Sequence, residues 1–287
     1  MEHNTPLTYH FQHWHIWFDM AVLGLLFVAA AYVPLLKIVP LVASLELFSF
    51  FSFHLLAKSS RFQLQGFLGG FISSTAVFLQ TLNDRKFAST SERELLLTLL
   101  FALCAMLIEC LFIVFFLSDN LSLVYYLPFI TQLLVFATAI LYVSTSNRSR
   151  FASNPVGDSN LDIDLLNDHP IIWKNVAKFS LLILVIISVM RFAGSELGLP
   201  PGISTLIVSL FEAHAILASV MTEWSLQRDD AQLLQLFFLI LLGNTISKSY
   251  LAYKGSNLAK KGFFLAVMAG GLLASLGVTL LWWQLTG

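Results

Sequence analysis

The stretch "GGFISSTAVFLQ", Gly69–Gln80, lies in an apolar run that carries no charge from Phe62 to Asn83. Three hydroxyl residues in a row, Ser73, Ser74 and Thr75, interrupt what otherwise reads as a membrane helix. Gly66, Gly69 and Gly70 precede them and let a backbone approach closely or let a helix break. The hydroxyls then have two uses. They can bond back to their own helix and pack against a neighbour, or they can coordinate a cation or a polar solute. A second stretch, "SLFEAHAILASV", Ser209–Val220, has the same local shape, with Glu212 and His214 where the first has Ser73 and Thr75.

The rest of the chain fits a bilayer. Of 287 residues, 57% are apolar and only 11% are charged, against about a quarter charged in a soluble domain. Mean hydropathy is +0.79. The apolar runs are continuous and rich in Leu, Phe and Ala, unlike the short alternating strands of an outer-membrane barrel. A span needs about 20 apolar residues. By that measure the sequence predicts roughly nine, near 15–36, 39–57, 64–82, 94–117, 121–145, 170–192, 201–222, 231–253 and 262–284. The fold expected is an all-α polytopic membrane protein. Residues 1–38 form an N-terminal interfacial segment and leading span, 39–145 a first membrane repeat, 146–169 a polar linker, and 170–287 a second repeat.

"YHFQHWHIWF" and "LWWQ" put aromatic residues at both ends, as in a headgroup belt. No Lys or Arg precedes Lys37, so the start lacks the basic region of a cleaved signal peptide and reads as a retained span. With nine crossings the Lys and Arg residues divide six against eight between the two sides, a weak bias toward an outside N-terminus. The net charge of −1 and the lack of a basic tract give no sign of nucleic-acid binding. Cys104 and Cys110 are six residues apart, off a shared helix face, and read as buried thiols.

An internal duplication is suggested by aligning Thr75 with His214. Ser73 then falls on Glu212 and, in the following helix, Glu109 on Lys248. Four spans per repeat would make the two halves parallel, with a site between them near the midplane. Glu212 lies well inside a span opened by Pro200 and Pro201, where an ionisable side chain costs about 2.5–3.5 kcal/mol and is a functional candidate by default. His214 is about 200° around a regular helix from it, so both face one point only if the helix is broken. Asn244 and Lys248 share a face one turn apart. Lys248 could instead form a purely structural ion pair with Glu212, or snorkel to the interface. Glu46 and His54 share a face of the second span, and Glu109, deep in the fourth, needs a partner or a proton. Arg191 reads as an interfacial anchor.

Two patterns are weaker. His10, His13 and His15 could capture a transition metal together with His3, but no spacing puts all three on one helix face and tryptophans interleave them, so they read as interfacial anchors. "DSNLDID", Asp158–Asp164, alternates oxygens as a calcium loop does, but Ile163 replaces the turn glycine and His169 the bidentate Glu. No G-x-S-x-G, H-E-x-x-H or Walker loop occurs, so an enzyme is not expected, nor is a cofactor.

"GFLGGFISSTAVFLQTLNDRK", "SLFEAHAILAS" and "GNTISKSYLAYKGSNLAKKG" resemble the bacterial membrane domain usually found C-terminal to an MgtC/SapB domain. Ser73–Ala76 and the N-T-x-x-K of Asn244–Lys248 are the more specific matches. The family's second motif is D-x-D-A; Glu212 and His214 occupy those positions and leave one carboxylate. Glu109 stands where relatives are often basic. The resemblance implies a multi-pass protein of the bacterial inner membrane and no established activity.

The expected function is a secondary transporter or channel-like protein for an inorganic cation, a proton or a small polar solute. Its site would comprise Ser73, Ser74, Thr75, Glu212, His214, Asn244 and Lys248, with Glu46, His54 and Glu109 secondary and the metal, if any, unspecified. The alternative is a non-transporting membrane regulator that binds another membrane protein. Expected partners are the lipid bilayer and a second copy of the chain in a homodimer.

Overall fold

The computed structural model describes residues 14–32, 38–56, 61–83, 90–117, 123–146, 171, 173–196, 198–224, 230–255 and 257–286. They form ten α-helices and one short 3-10 turn, with no strand among the described residues. In chain order the helices are α1 (Trp14–Tyr32), α2 (Ile38–Leu56), α3 (Arg61–Asn83), α4 (Glu92–Leu117) and α5 (Leu127–Thr145), then α6 (Trp173–Ser195), α7 (Pro201–Ser209), α8 (Ala213–Trp224), α9 (Asp230–Lys254) and α10 (Lys261–Thr286).

Local sequence sets several of the ends. Ser91 and Glu94 form a reciprocal capping box at the start of α4: Glu94 N–H donates to Ser91 Oγ, and Ser91 N–H to Glu94 Oε2, each at 3.3 Å. Pro201 opens α7 and Pro128 opens α5, where a missing N–H is harmless.

Four helices, α4, α5, α9 and α10, are long and apolar enough to cross a membrane. The chain is a membrane protein whose described residues are helical apart from short turns and connections. The apolar window of α4 is 67% buried inside the bundle and that of α10 only 28%, so α4 is central and α10 peripheral. Shorter apolar helices occur at Ile16–Ala30, Ile38–Phe48, Val176–Met190 and Ala213–Thr222.

The expected spans at 64–82 and 201–222 are not continuous helices. Helix α3 is interrupted at Ser73, whose backbone is extended (φ −166°, ψ 109°). A methyl group on Gly69 would overlap Val77 Cγ2. In a straight helix residues eight apart are separated by about 12 Å, so the two arms of α3 fold back on each other. The outgoing arm runs alongside α4 in the same direction, with Gly66 against the Thr98 backbone and Gly70 against that of Ala102. A side chain at either glycine would collide with a carbonyl oxygen of α4. The returning arm ends beside the end of α9: Asn257 Nδ2 donates to Thr81 O (3.1 Å) and Asn257 N–H to Leu82 O (3.2 Å).

The second stretch breaks at Leu210–Glu212, between α7 and α8. Helix α7 runs with α9, Gly202 beside Leu239 and Ser209 beside Gly243. Helix α8 must then reach the start of α9 over residues 224–230, six peptide steps or at most about 22 Å. A helix that kept going would end about 36 Å away, so α8 also turns back. Periodicity misses both hairpins because each arm is as apolar as a crossing helix; only the Gly and Ser punctuation marks them.

One face of the bundle collects several ends. Glu92 Oε1 accepts a hydrogen bond from Lys260 N–H, Arg93 donates to the carbonyls of Val143 and Ser144, and Trp173 Nε1 donates to Asp19 Oδ1 at 3.0 Å.

Candidate functional site

The two hairpin tips meet. Ser73 Oγ donates to Glu212 Oε1 at 2.8 Å and accepts the N–H of Ala76 at 3.3 Å. Ser73 therefore caps the returning arm of α3 as an N-cap serine does and holds the carboxylate of the other tip. Thr75 Oγ1 donates to Phe211 O at 2.9 Å and accepts a hydrogen bond from Lys248 Nζ. Phe211 O lies in the turn after α7, so the second tip offers a carbonyl to Thr75 and a carboxylate to Ser73.

The long helices bring the remaining charges. Lys248 of α9 is 1% exposed and lies over the Phe78 ring, Nζ 5.8 Å from its centroid. The structural ion pair that the sequence allows does not form: among the described residues Glu212 bonds Ser73, Lys248 bonds Thr75, and the two are not within 4 Å of each other. Glu109 of α4, 2% exposed, finds His214 instead, with Oε2 3.7 Å from His214 Nδ1. The same Nδ1 is 3.5 Å from Glu212 Oε2, so the imidazole lies between two carboxylates. The break after Glu212 is what lets Glu212 and His214 face one point, as a regular helix would not. Glu212 is the open member, its side chain 18% exposed.

Seven expected residues and one secondary candidate fall at or beside this junction. Ser73, Thr75, Glu212, His214 and Lys248 are joined with Glu109 by the contacts above. Ser74 and Asn244 are each 1% exposed, and Ser74 Oγ and Asn244 Nδ2 have no hydrogen-bond partner among the described residues. Glu46 is half-buried in α2 and is not one of the residues these contacts join. The side chains of His15 and His54 lie outside the described residues, as do His3, His10, His13 and Asp158–Asp164. The carbonyl of Phe211 was not legible in advance, since a backbone acceptor leaves no mark in a sequence; the exposed Phe in "SLFEA" is its only trace. Cys104 and Cys110 are free and buried, as their spacing suggests.

Chemically the junction holds two carboxylates, an imidazole, an ammonium, two bonded hydroxyls and a turn carbonyl. Such a set can pass a proton or change its charge partners. Among the described residues no group of three or more His, Cys, Asp and Glu side chains is arranged to hold a metal ion.

No curated protein and no solved structure matches the chain. Residues 41–255, from α2 through α9 and including both hairpins, match the model of a domain of unknown function (DUF4010), and the chain belongs to that family.

Proposed function

We propose that this protein is a secondary transporter for an ion or small polar solute, working through the two hairpin tips. The observation that carries the reading is the 2.8 Å bond from Ser73 to Glu212, which joins the breaks of two apolar helices. Broken helices with polar tips at the bilayer midplane are how transporters expose backbone and side-chain ligands without facing lipid.

A shift of 139 residues, the separation of Ser73 and Glu212, carries α2 onto 177–195, α3 onto 200–222, α4 onto 231–256 and α5 onto 266–284. These ranges are close to α6, α7–α8, α9 and α10. The same shift turns the Thr75–Lys248 contact into His214–Glu109. Gln132 and Gly271, which touch across α5 and α10, exchange with each other, as residues on a two-fold axis do. These relations support two repeats. Because each hairpin returns to its own side, each repeat crosses three times instead of four. Three crossings invert the second repeat, in place of the parallel pair the span count suggests, and α1 brings the total to seven.

Charge supports the seven-crossing path independently. Apart from Lys248, the chain has fifteen Lys and Arg residues. On this path twelve fall on the side of the α3 hairpin ends, and only Lys37, Arg191 and Arg228 on the other. The nine-span path divides them almost evenly. By the positive-inside rule the rich side, with residues 146–172, is cytoplasmic, which fits a multi-pass protein of the inner membrane. A place beside MgtC/SapB domains belongs to this proposal and rests on the sequence motifs alone.

The test is thermal stability of the purified protein against a panel of small anions, cations and polar solutes, for wild type and Glu212→Gln. A solute at about 100 times its Kd stabilises the native state by about 2.7 kcal/mol. A shift present in wild type and absent in Glu212→Gln supports the site. No shift with any solute, and a lower melting temperature in the variant, returns the junction to structural glue and favours the regulator reading.

A further inference from the structure

Resting on the transporter reading, we infer that the coupling ion is a proton, relayed by Glu212, His214 and Glu109, while the Lys248 ammonium fills the seat on the hairpin tip that a metal cation would otherwise take.

The hydroxyl lone pairs argue first. A hard cation such as Ca²⁺ takes six to eight oxygen ligands. Ser73 Oγ already gives its proton to Glu212 and accepts Ala76 N–H. Thr75 Oγ1 already gives its proton to Phe211 O and accepts from Lys248. The oxygens that make these tips look like a cation site are therefore engaged, and the positive charge seated on them is a tethered lysine.

Position argues second. His214 Nδ1 has a carboxylate oxygen on each side, Glu212 Oε2 at 3.5 Å and Glu109 Oε2 at 3.7 Å. Glu212 is partly open, whereas His214 and Glu109 are closed, which gives the three an order from port to relay to store. The step balances simply. The Nδ1–H bond of a protonated His214 breaks, an O–H bond forms on Glu109, and an imidazolium and a carboxylate become an imidazole and a carboxylic acid. Both separations exceed hydrogen-bond length, about 2.7–3.2 Å, so transfer needs a shift of the His214 ring. A conformational change at the tips would supply it.

Charge balance argues third. The ionisable groups facing His214 include Glu109 from α4, Glu212 from the turn and Lys248 from α9, and the Cys110 thiol of α4 lies near both carboxylates. In α6, Lys174 and Lys178 are exposed. With both carboxylates and Lys248 charged, the cluster is neutral with one proton on His214 and carries −1 without it. One proton thus sets the charge of a closed interior, where an uncompensated charge is costly.

The experiment is infrared difference spectroscopy of the full-length protein in liposomes, from about pH 5 to about pH 9. Wild type is expected to give a protonated-carboxyl band that titrates, is lost in Glu109→Gln and returns at a shifted frequency in Glu109→Asp. At fixed pH, Na⁺, Mg²⁺ and Zn²⁺ should leave the carboxylate bands unmoved. A wild-type spectrum with no titrating carboxyl band overturns the inference without any variant, as do carboxylate bands that move on metal addition. The two proposals fail separately. A titrating band with no stabilising solute leaves the proton relay standing and removes the transporter. Solute stabilisation that requires a metal cation, with no titrating band, does the reverse.

Discussion

At Ser73 the chain reverses within a single extended residue, and at Leu210–Glu212 it takes a three-residue turn. The first tip presents hydroxyls and no charge. The second presents a carboxylate, a carbonyl and an imidazole. Each takes its long-helix partner from the other half: Thr75 meets Lys248, and His214 meets Glu109. In the proposed repeat, corresponding places thus hold opposite charges, a cation in α9 and a carboxylate in α4. If the proposed duplication and transport hold, unlike side chains on the two tips let one bind a solute while the other moves a proton, which a pair of identical tips could not do.

The comparison breaks most completely if the hairpins are crossings after all. Single cysteines replacing Ser59 and Ala88, on either side of α3, are expected to react with a membrane-impermeant maleimide from the same side; Cys104 and Cys110 are buried and should stay silent. Labelling from opposite sides would restore the continuous span and the parallel repeats.

A smaller effect separates glycines that carry the hairpin from those that do not. Gly66→Leu drives a side chain into the Thr98 backbone, and overpacking of this kind costs about 1–3 kcal/mol and sometimes more. Gly277→Leu enters open space and should leave the melting temperature nearly unchanged. Equal losses in both would mean that the outgoing arm does not lie on α4.

A loss of similar size is expected at the seat of Lys248. Thr75→Val keeps the shape and removes the hydroxyl that joins Lys248 to Phe211 O. Hydrogen bonds to charged groups contribute about 1.5–3 kcal/mol, so denaturation should show a loss of that order. An unchanged midpoint would say that the ammonium has another anchor.

Much of this was written in the sequence. The sequence sets Thr75 opposite His214 and Glu109 opposite Lys248 at one offset, and in space Thr75 meets Lys248 and Glu109 meets His214. What composition could not give was direction. An arm of about ten apolar residues and a full span look alike in hydropathy when two arms are adjacent. The reversal depends on Gly69 touching Val77, a contact invisible until the chain is folded. On the proposed path the two reversals change the span count, the parity of the repeats and the charge balance together. The partner of Glu109 was hidden for the same reason. The alignment pairs it with Lys248 as a counterpart, while space gives it His214.

The bond between the tips also has a history in time. Its two ends are 139 residues apart, and synthesis proceeds at about 5–20 residues per second. The first hairpin is therefore made roughly 7–28 s before Glu212 exists. During that interval Ser73 and Thr75 are without the tip they meet in the folded protein. Glu109, in the next helix, waits for His214. A nascent first half must borrow water, lipid headgroups or an insertion factor until the second half arrives, so the order of synthesis makes the first hairpin the segment most open to going astray.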